Sequence, residues 1–287
     1  MNQDIFFVKG KSHTVCEDYG ISGQKGSWHY LVASDGCSSS RDTDIGSRLL
    51  CLSAQNAIHE IEESFFNEED IAVIESYIFS FILHKIKELM ITLNLRRDLF
   101  DATLMIYLTN GSRSLFFIRG DGNLVLRYSD VIELHSFEYE SGAPSYLSYD
   151  LHRDFMNNYE RQFEYPTMMC TTTSFGSMGQ GEAKKRYIDN YNFSMELDRT
   201  INYESVSIAS DGLLTFYNSS QENESIINVL EELTVFPSTK GSFVLRRMRK
   251  ALKQFNARGI DYSDDLVFGA IHFEKINSVP LASRVLI

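Results

Sequence analysis

Two short stretches of this chain share one pattern that could do chemistry. LVASDG at 31–36 and VSIASDG at 206–212 are apolar runs that stop on an aspartate and a glycine. A strand ending this way points a carboxylate out of a rigid edge, where a hard cation or a phosphate-processing centre can use it. A single Asp-Gly is ordinary turn chemistry, since both residues favour turns. Here two copies stand behind apolar strands, and Glu17-Asp18 and Asp264-Asp265 stand ahead of others, so four acidic stations fall at strand ends. Read as oxygen-only stations, they select magnesium or manganese over zinc or copper. Brought together, so many carboxylates repel one another and need about two divalent ions to neutralise them. Two such ions, roughly 3.5–4 Å apart, share a hydroxide and clamp phosphoryl oxygens for in-line attack. The chemistry implied is phosphate-ester hydrolysis.

Composition excludes several other classes. At 287 residues and 43% hydrophobic content the chain can bury a substantial core. Its 27 Lys and Arg against 39 Asp and Glu give a net charge of -12, which repels nucleic acid and anionic membrane but attracts metal cations. No run reaches the roughly 18 apolar residues of a membrane span, and MNQDIFFVKGK lacks the layout of a signal peptide, so a cytoplasmic home is expected. Cys16, Cys37, Cys51 and Cys170 are scattered without zinc-like spacing and read as reduced thiols. Neither CSSSR nor CTTTSFG has the arginine spacing of a cysteine-nucleophile phosphatase loop.

The elements that must position the acids follow from periodicity. IFFVK (5–9) opens as a strand, and WHYLVASD (28–35) has a continuous apolar run that predicts burial on both faces. Residues 43–63 set Ile45, Leu49, Leu52, Ala57, Ile58 and Ile61 near helical spacing, with Asp42 or Thr43 as cap, and a second helix follows Asn67. From Phe100 the pattern is extended. Four short strands joined by Asn-Gly, Gly-Asp-Gly and Ser-Asp links predict an antiparallel meander. About 140–200 loses periodicity and reads as an irregular insertion with one strand at MMCTTTSF. Helices are expected from Glu222 to Leu233 and from Gly241 to Asn256, the latter carrying RRMRKALK as a solvated face rather than a nucleic-acid patch. One domain spans 1–275 on this reading, with a tail at 276–287.

Six pieces then fall in order: CEDYG, VASDGCSSS, DATLMIYL, IRGDGNLVL, IASDGLL and SDDLVFGAI. Through them the chain, from about Lys9 to Phe273, resembles the protein phosphatase 2C family of metal-dependent serine/threonine phosphatases, in particular its divergent bacterial members. The resemblance implies an α+β fold, a four-layer αββα sandwich of two antiparallel sheets flanked by helices, with the metal site at one end. It also implies that Asp35 bridges two Mn2+ or Mg2+ ions, that Gly36 gives its carbonyl to one, and that Asp211 and Asp264 bind the other. Glu17 would hold metal-bound water, with Asp18 beside it. Asp121 matches the acid that holds a weaker third ion in several relatives. A phosphorylated protein substrate and a cognate serine/threonine kinase follow as partners.

The departures from the family pattern are specific. His13 stands four residues before Glu17, where better-known members carry a phosphate-binding arginine, and it is charged only when protonated. Cys37 takes the place of a histidine thought to serve as acid, serines replace the Gly-Gly after the first Asp-Gly, and Thr215 replaces the third ion's second carboxylate. Other motifs fail: GSMGQGE (176–182) offers Glu182 where a phosphate loop needs lysine, HEIEE (59–63) lacks a second histidine, and GDGN (120–123) reads as a hairpin turn. The expected activity is hydrolysis of phosphoserine or phosphothreonine in proteins. The alternative is a pseudophosphatase, the same fold kept as a phosphoprotein- or nucleotide-binding module.

Overall fold

Trp28 to Ser34 form a strand in which every residue is buried, and its alternation explains the architecture around it. Tyr30 and Val32 face one hydrophobic cluster while Leu31 and Ala33 face another, so the strand lies between two packed layers. The structure is a computed structural model and describes residues 1–176, 179–198 and 200–274. The tail expected at 276–287 lies outside the described residues, as do two residues of GSMGQGE.

In chain order the first half runs β1 (Asn2–Val8), β2 (Tyr19–Lys25), β3 (Trp28–Ser34), α1 (Thr43–Glu60), α2 (Glu63–Glu68), α3 (Ile71–Leu93), β4 (Leu104–Thr109), β5 (Ser114–Arg119), β6 (Gly122–Tyr128) and β7 (Val131–Tyr139). The next part holds α4 (Arg153–Gln162), β8 (Met168–Gly176), β9 (Gly179–Gln180), β10 (Lys184–Ile188) and β11 (Asn192–Glu196). The chain then continues through β12 (Ser205–Ala209), β13 (Phe216–Tyr217), α5 (Ile226–Thr234), α6 (Phe243–Ala257), β14 (Asp261–Tyr262) and β15 (Leu266–His272). The larger sheet has the order β1-β15-β12-β6-β7-β8-β10, with β9 also on β8, and the smaller has the order β11-β5-β4-β3-β2. Neighbouring strands pair antiparallel in both sheets.

Three clusters fill the spaces between four layers. Helices α1 to α3 cover the smaller sheet through residues such as Leu50, Ile78 and Ile82. Helices α5 and α6 cover the larger through Leu230, Leu233, Met248 and Phe255. Leu31, Met105, Phe116, Phe137 and Ile208 fill the space between the sheets. The fold is the expected α+β sandwich.

Several expectations change. The helix predicted at 43–63 breaks at extended Ile61 and resumes as α2. Ala57, Ile58 and Ile61 are buried as expected, but Ile45 and Leu52 are exposed, and Gly46, Ser47, Leu50, Cys51 and Ala54 face inward instead. The small residues let α1 approach the sheet closely, which spacing of large apolar residues alone could not show. Asp42 occupies the cap position but its side chain makes no cap hydrogen bond. The stretch at about 140–200 carries α4 and β8 to β11 rather than one strand. Its β11 joins the smaller sheet beside β5, and Phe193 packs on Phe137 with ring centroids 5.1 Å apart. Finally, the meander is interrupted. β5 and β6 belong to different sheets, so Gly120-Asp121-Gly122 is a crossing between layers and not a hairpin turn. Both glycines have positive φ, 95° and 142°, the region open to residues without a Cβ.

Candidate metal centre

The strand ends that face one another across the sandwich carry the acids. Asp35 leaves β3, Asp211 leaves β12 after Ser210, Asp121 sits in the crossing, Asp264 and Asp265 precede β15, and Glu17-Asp18 precede β2.

Asp35 is held by its backbone. The Thr103 N–H donates to the Asp35 carbonyl at 2.8 Å, the Asp35 N–H donates to Thr103 Oγ1 at 3.1 Å, and Ser34 Oγ donates to the Thr103 carbonyl at 2.6 Å. One residue on, Gly36 bridges Ala102, and the Cys37 N–H donates to the Asp101 carbonyl at 2.9 Å. The DAT segment is therefore a clamp on the Asp35 loop. Three anchors hold the backbone from which the Asp35 carboxylate projects.

The second Asp-Gly is built in parallel fashion. Ser210, fully buried, donates through Oγ to Asp18 Oδ2 at 2.7 Å and accepts the Val267 N–H at 3.0 Å. Gly212 must be glycine, because a Cβ there would lie 1.8 Å from the Asp265 carbonyl oxygen. Thr215 Oγ1 donates to the Gly212 carbonyl at 3.0 Å and accepts the Asp264 N–H at 3.3 Å. The hydroxyl thus ties the Asp211 turn to the Asp264 loop, a structural task beyond filling the place of an acid.

Asp18, Asp35, Asp121 and Asp211 form one electrostatic group. Burial is the main cause that pushes Asp18 up to about 7, with Ser210 opposing it and Asp265 and Asp211 adding to it. Burial, then Asp211, pushes Asp121 up to about 8. Asp35 is raised well above the ordinary range by burial and then by Asp18, Asp211 and Asp121, which puts it at the centre of the four. Asp211 is raised by burial, and Asp264 adds to the rise. Asp18 Oδ1 is buried with no hydrogen-bond donor on it, and the Asp35 carboxyl lies within hydrogen-bonding reach of the Asp18 carboxyl. A hard cation is the partner that such oxygens lack.

Asp265 does something else. Both its oxygens accept backbone N–H groups, from Gly10 and from Glu17, each at 2.6 Å. His13 lies over the same loop, with Nε2 3.1 Å from Asp264 Oδ1 and Nδ1 3.1 Å from Asp265 Oδ2 and 3.6 Å from Glu17 Oε2. Burial works against its charge, but Asp265, Asp264 and Glu17 outweigh it and raise its pKa above 6.5. Glu17 Oε1 accepts from Thr43 Oγ1 at 3.0 Å, and its pKa is raised chiefly by burial. The stations are thus not purely oxygen-bearing: His13 enters one, and Cys16 and Cys37 flank two others. His13, Glu17 and Asp265 offer ligand atoms within 4.8 Å of one another. Each Asp265 oxygen already accepts one amide N–H, whereas Asp18, Asp35, Asp121 and Asp211 are grouped by the field they share and not by such a close trio of ligand atoms among the described residues.

Thr103, Ser210, Thr43 and the carbonyl of Asp101 are the functional supports that sequence reasoning missed. One signal was present: both ASDG copies carry a serine before the acid, and both serines are fully buried donors. Cys37 Sγ lies 3.0 Å from Ser39 Oγ. Cavities of about 680 Å³ and 620 Å³ elsewhere on the molecule are lined by none of these acids.

The family profile described as Protein phosphatase 2C matches residues 9–255. No curated protein matches the chain. Among solved structures, a variant of a bacterial serine phosphatase superposes with a TM-score of 0.56 at 13% identity, covering 96% of this chain and 99% of that one. A serine/threonine phosphatase from Staphylococcus aureus gives 0.55 at 15% identity, covering 96% of each chain. The serine/threonine phosphatase of S. agalactiae gives 0.52 at 14% identity, covering 95% and 99%. At such identities the likeness is one of fold.

Proposed function

The chain belongs to the protein phosphatase 2C family, and from that premise we propose that it hydrolyses phosphoserine and phosphothreonine in proteins with the help of two Mn2+ or Mg2+ ions. The observation that carries the proposal is the group of four carboxylates, Asp18, Asp35, Asp121 and Asp211, each raised chiefly by burial, with Asp35 at their centre raised further by the other three. The donor set fits divalent ions of the hard class: it is rich in oxygen, preorganised by backbone anchors, and includes one buried oxygen with no hydrogen-bond donor on it. Asp35, the Gly36 carbonyl, Asp211 and Asp264 are the ligands on this reading, with Glu17 and Asp18 supporting them and Asp121 serving a weak third ion. When bound, the ions supply a water acidified to near-neutral pKa and neutralise the phosphoryl oxygens.

The chain's own residues do the positioning. Thr103 and Asp101 keep the Asp35–Cys37 loop from shifting, which matters because a 1 Å misplacement can cost roughly a hundredfold in rate. Ser210 orients Asp18 through one of its oxygens. His13, whose protonated form is favoured by Asp265, Asp264 and Glu17, brings positive charge to the Asp264 side of the site, where it attracts a phosphoryl oxygen. A phosphoprotein substrate and a cognate serine/threonine kinase complete the proposed setting, and a cytoplasmic location goes with them. Among the described residues no helix is long and apolar enough to cross a membrane.

The test is hydrolysis of a generic aryl phosphate and of a phosphoserine peptide, with manganese, with magnesium and with chelator. Turnover that requires the metal and is erased by chelator supports the proposal. Metal binding without turnover of either substrate would move the protein to the binding-module alternative.

A further inference from the structure

The last helix carries charge that the carboxylate site does not use. α6, FVLRRMRKALKQFNA, contains no acid, and Val244, Met248, Ala251 and Phe255 form its buried face. At about 100° per residue, Arg246, Arg249, Lys250 and Lys253 fall within an arc of roughly 100° on the opposite face, along about 10 Å of axis. All four are exposed, and none forms an ion pair among the described residues. Arg247 behaves differently. It turns toward α5, where NH2 donates to Glu232 Oε2 at 2.9 Å and Nε donates to the Glu232 carbonyl. The N-terminus of α6 is capped by Asp4, whose Oδ2 accepts the Val244 and Leu245 N–H groups at 2.7 and 3.1 Å.

The stripe does not serve stability. Arg246 and Lys250, and Arg249 and Lys253, are like charges at i and i+4, an arrangement that weakens a helix. Four uncancelled cations on a chain of net charge -12 also make a local field opposite in sign to the rest of the molecule. We propose that this face of α6 docks an acidic segment of the phosphoprotein substrate, outside the phosphorylated residue. The inference rests on the phosphatase reading and names a determinant of its specificity. The stripe is one helix wide and is bordered on the α5 side by the Arg247–Glu232 pair. A planar anionic membrane or a nucleic-acid duplex is repelled by a chain of net charge -12 around so narrow a stripe, whereas a single extended acidic segment follows it. Position favours a substrate. The last turn of α6 adjoins β14, with Asn256 Nδ2 donating to Asp261 Oδ1 at 3.4 Å, and β14 ends two residues before Asp264. The chain leaving the stripe therefore arrives at the metal centre.

The experiment compares two phosphoserine peptides that share a core, one extended by a run of glutamates and one by glutamines, on the full chain and on Arg249→Glu/Lys250→Glu/Lys253→Glu. In the wild type the glutamate peptide should have a KM lower by about tenfold, and added salt should erase the difference. The triple variant should lose that advantage while keeping its rate on the glutamine peptide and on aryl phosphate. A neutral set, Arg249→Gln/Lys250→Gln/Lys253→Gln, should give an intermediate KM. Equal KM values for the two peptides in the wild type, or an unchanged preference in the triple variant, would overturn the proposal. So would stripe-dependent binding of phosphatidylserine vesicles or of a DNA oligonucleotide tighter than that of the unphosphorylated glutamate peptide, measured by fluorescence anisotropy. That anisotropy arm needs no turnover, so failure of the phosphatase reading shows as loss of aryl phosphate hydrolysis alone.

Discussion

Replacing Asp18 by asparagine should stabilise the cation-free protein. The change keeps an oxygen for Ser210 Oγ, which donates to Asp18 Oδ2 at 2.7 Å, and removes a charge from a side chain that is 1% exposed. In the folded chain the carboxyl is pushed up from 3.8 to about 7 by burial and by neighbouring acids. A group whose folded pKa is raised contributes stability that is complete below its unfolded pKa and is lost as pH climbs through the folded value. Ionising Asp18 above pH 7 therefore costs on the order of 4 kcal/mol, about three units at 1.36 kcal/mol each. That figure is an upper bound for the mutation, because Asp35 and Asp211 share the repulsion and relax when one charge goes. Chemical denaturation in chelator at pH 8 should show Asp18→Asn more stable than wild type by about 2–4 kcal/mol. The gap should close toward pH 4. With saturating manganese the order should reverse, because the ions then favour the ionised acids that the variant lacks. An equal gap at both pH values, or a less stable variant at pH 8 in chelator, would refute the reasoning.

Other substitutions test the remaining parts. Asp35→Ala, Asp211→Ala and Asp264→Ala should each abolish metal-dependent aryl phosphate hydrolysis while the circular dichroism spectrum stays native; full activity in Asp35→Ala would remove the metal centre from the mechanism. His13→Ala should raise KM more than it lowers kcat, and because the surrounding acids raise the imidazole pKa above 6.5, the wild type should hold its KM to a higher pH than a free histidine allows. A KM identical in wild type, His13→Ala and His13→Arg would make the residue structural. Thr103→Val removes the acceptor for the Asp35 N–H and should cost about 1–3 kcal/mol in stability with a larger fall in kcat than in substrate affinity; unchanged kcat would show that the clamp is dispensable. For Thr215, anomalous scattering at millimolar manganese should show two strong ions and at most a weak one near Asp121. Thr215→Asp should strengthen that third ion and raise kcat, at a cost of about 1 kcal/mol for the lost donor to the Gly212 carbonyl. A full third ion in the unmodified protein, or stronger binding without a gain in kcat, would contradict this account of the substitution.

Much of the fold was legible because it depends on alternation and punctuation. The unbroken apolar run of β3 announced a strand buried on both faces, and it is one. The short strands from β4 to β7 were recognisable from their period and turns. Illegible features were those set by contact rather than by pattern. The inward face of α1 includes the small residues Gly46, Ser47, Cys51 and Ala54 beside the expected Ala57 and Ile58, so a search for large apolar residues found only part of it. In the stretch at 140–200, β8 and β11 are fixed by pairing with β7 and β5, partners outside it whose alignment no local period encodes, and β9 and β10 then pair with β8.

The candidate site divides in the same way. By itself the sequence determined which side chains could bind hard cations: Asp35, Asp121, Asp211, Asp264 and the Glu17-Asp18 pair stand at strand ends, and residue type at a strand end is local information. Only the tertiary structure decided which of them share one field. Asp121 joins Asp35 because β5 and β6 lie in different sheets, and Asp18 joins Asp211 through Ser210, which is 192 residues away in the chain. It also separated the two members of Asp264-Asp265: His13 lies against both, but only Asp265 accepts the amides of Gly10 and Glu17. The physical reason is that a carboxylate's role depends on what lies within hydrogen-bonding reach of its oxygens, and those neighbours are supplied by strands that meet only when the two sheets pack.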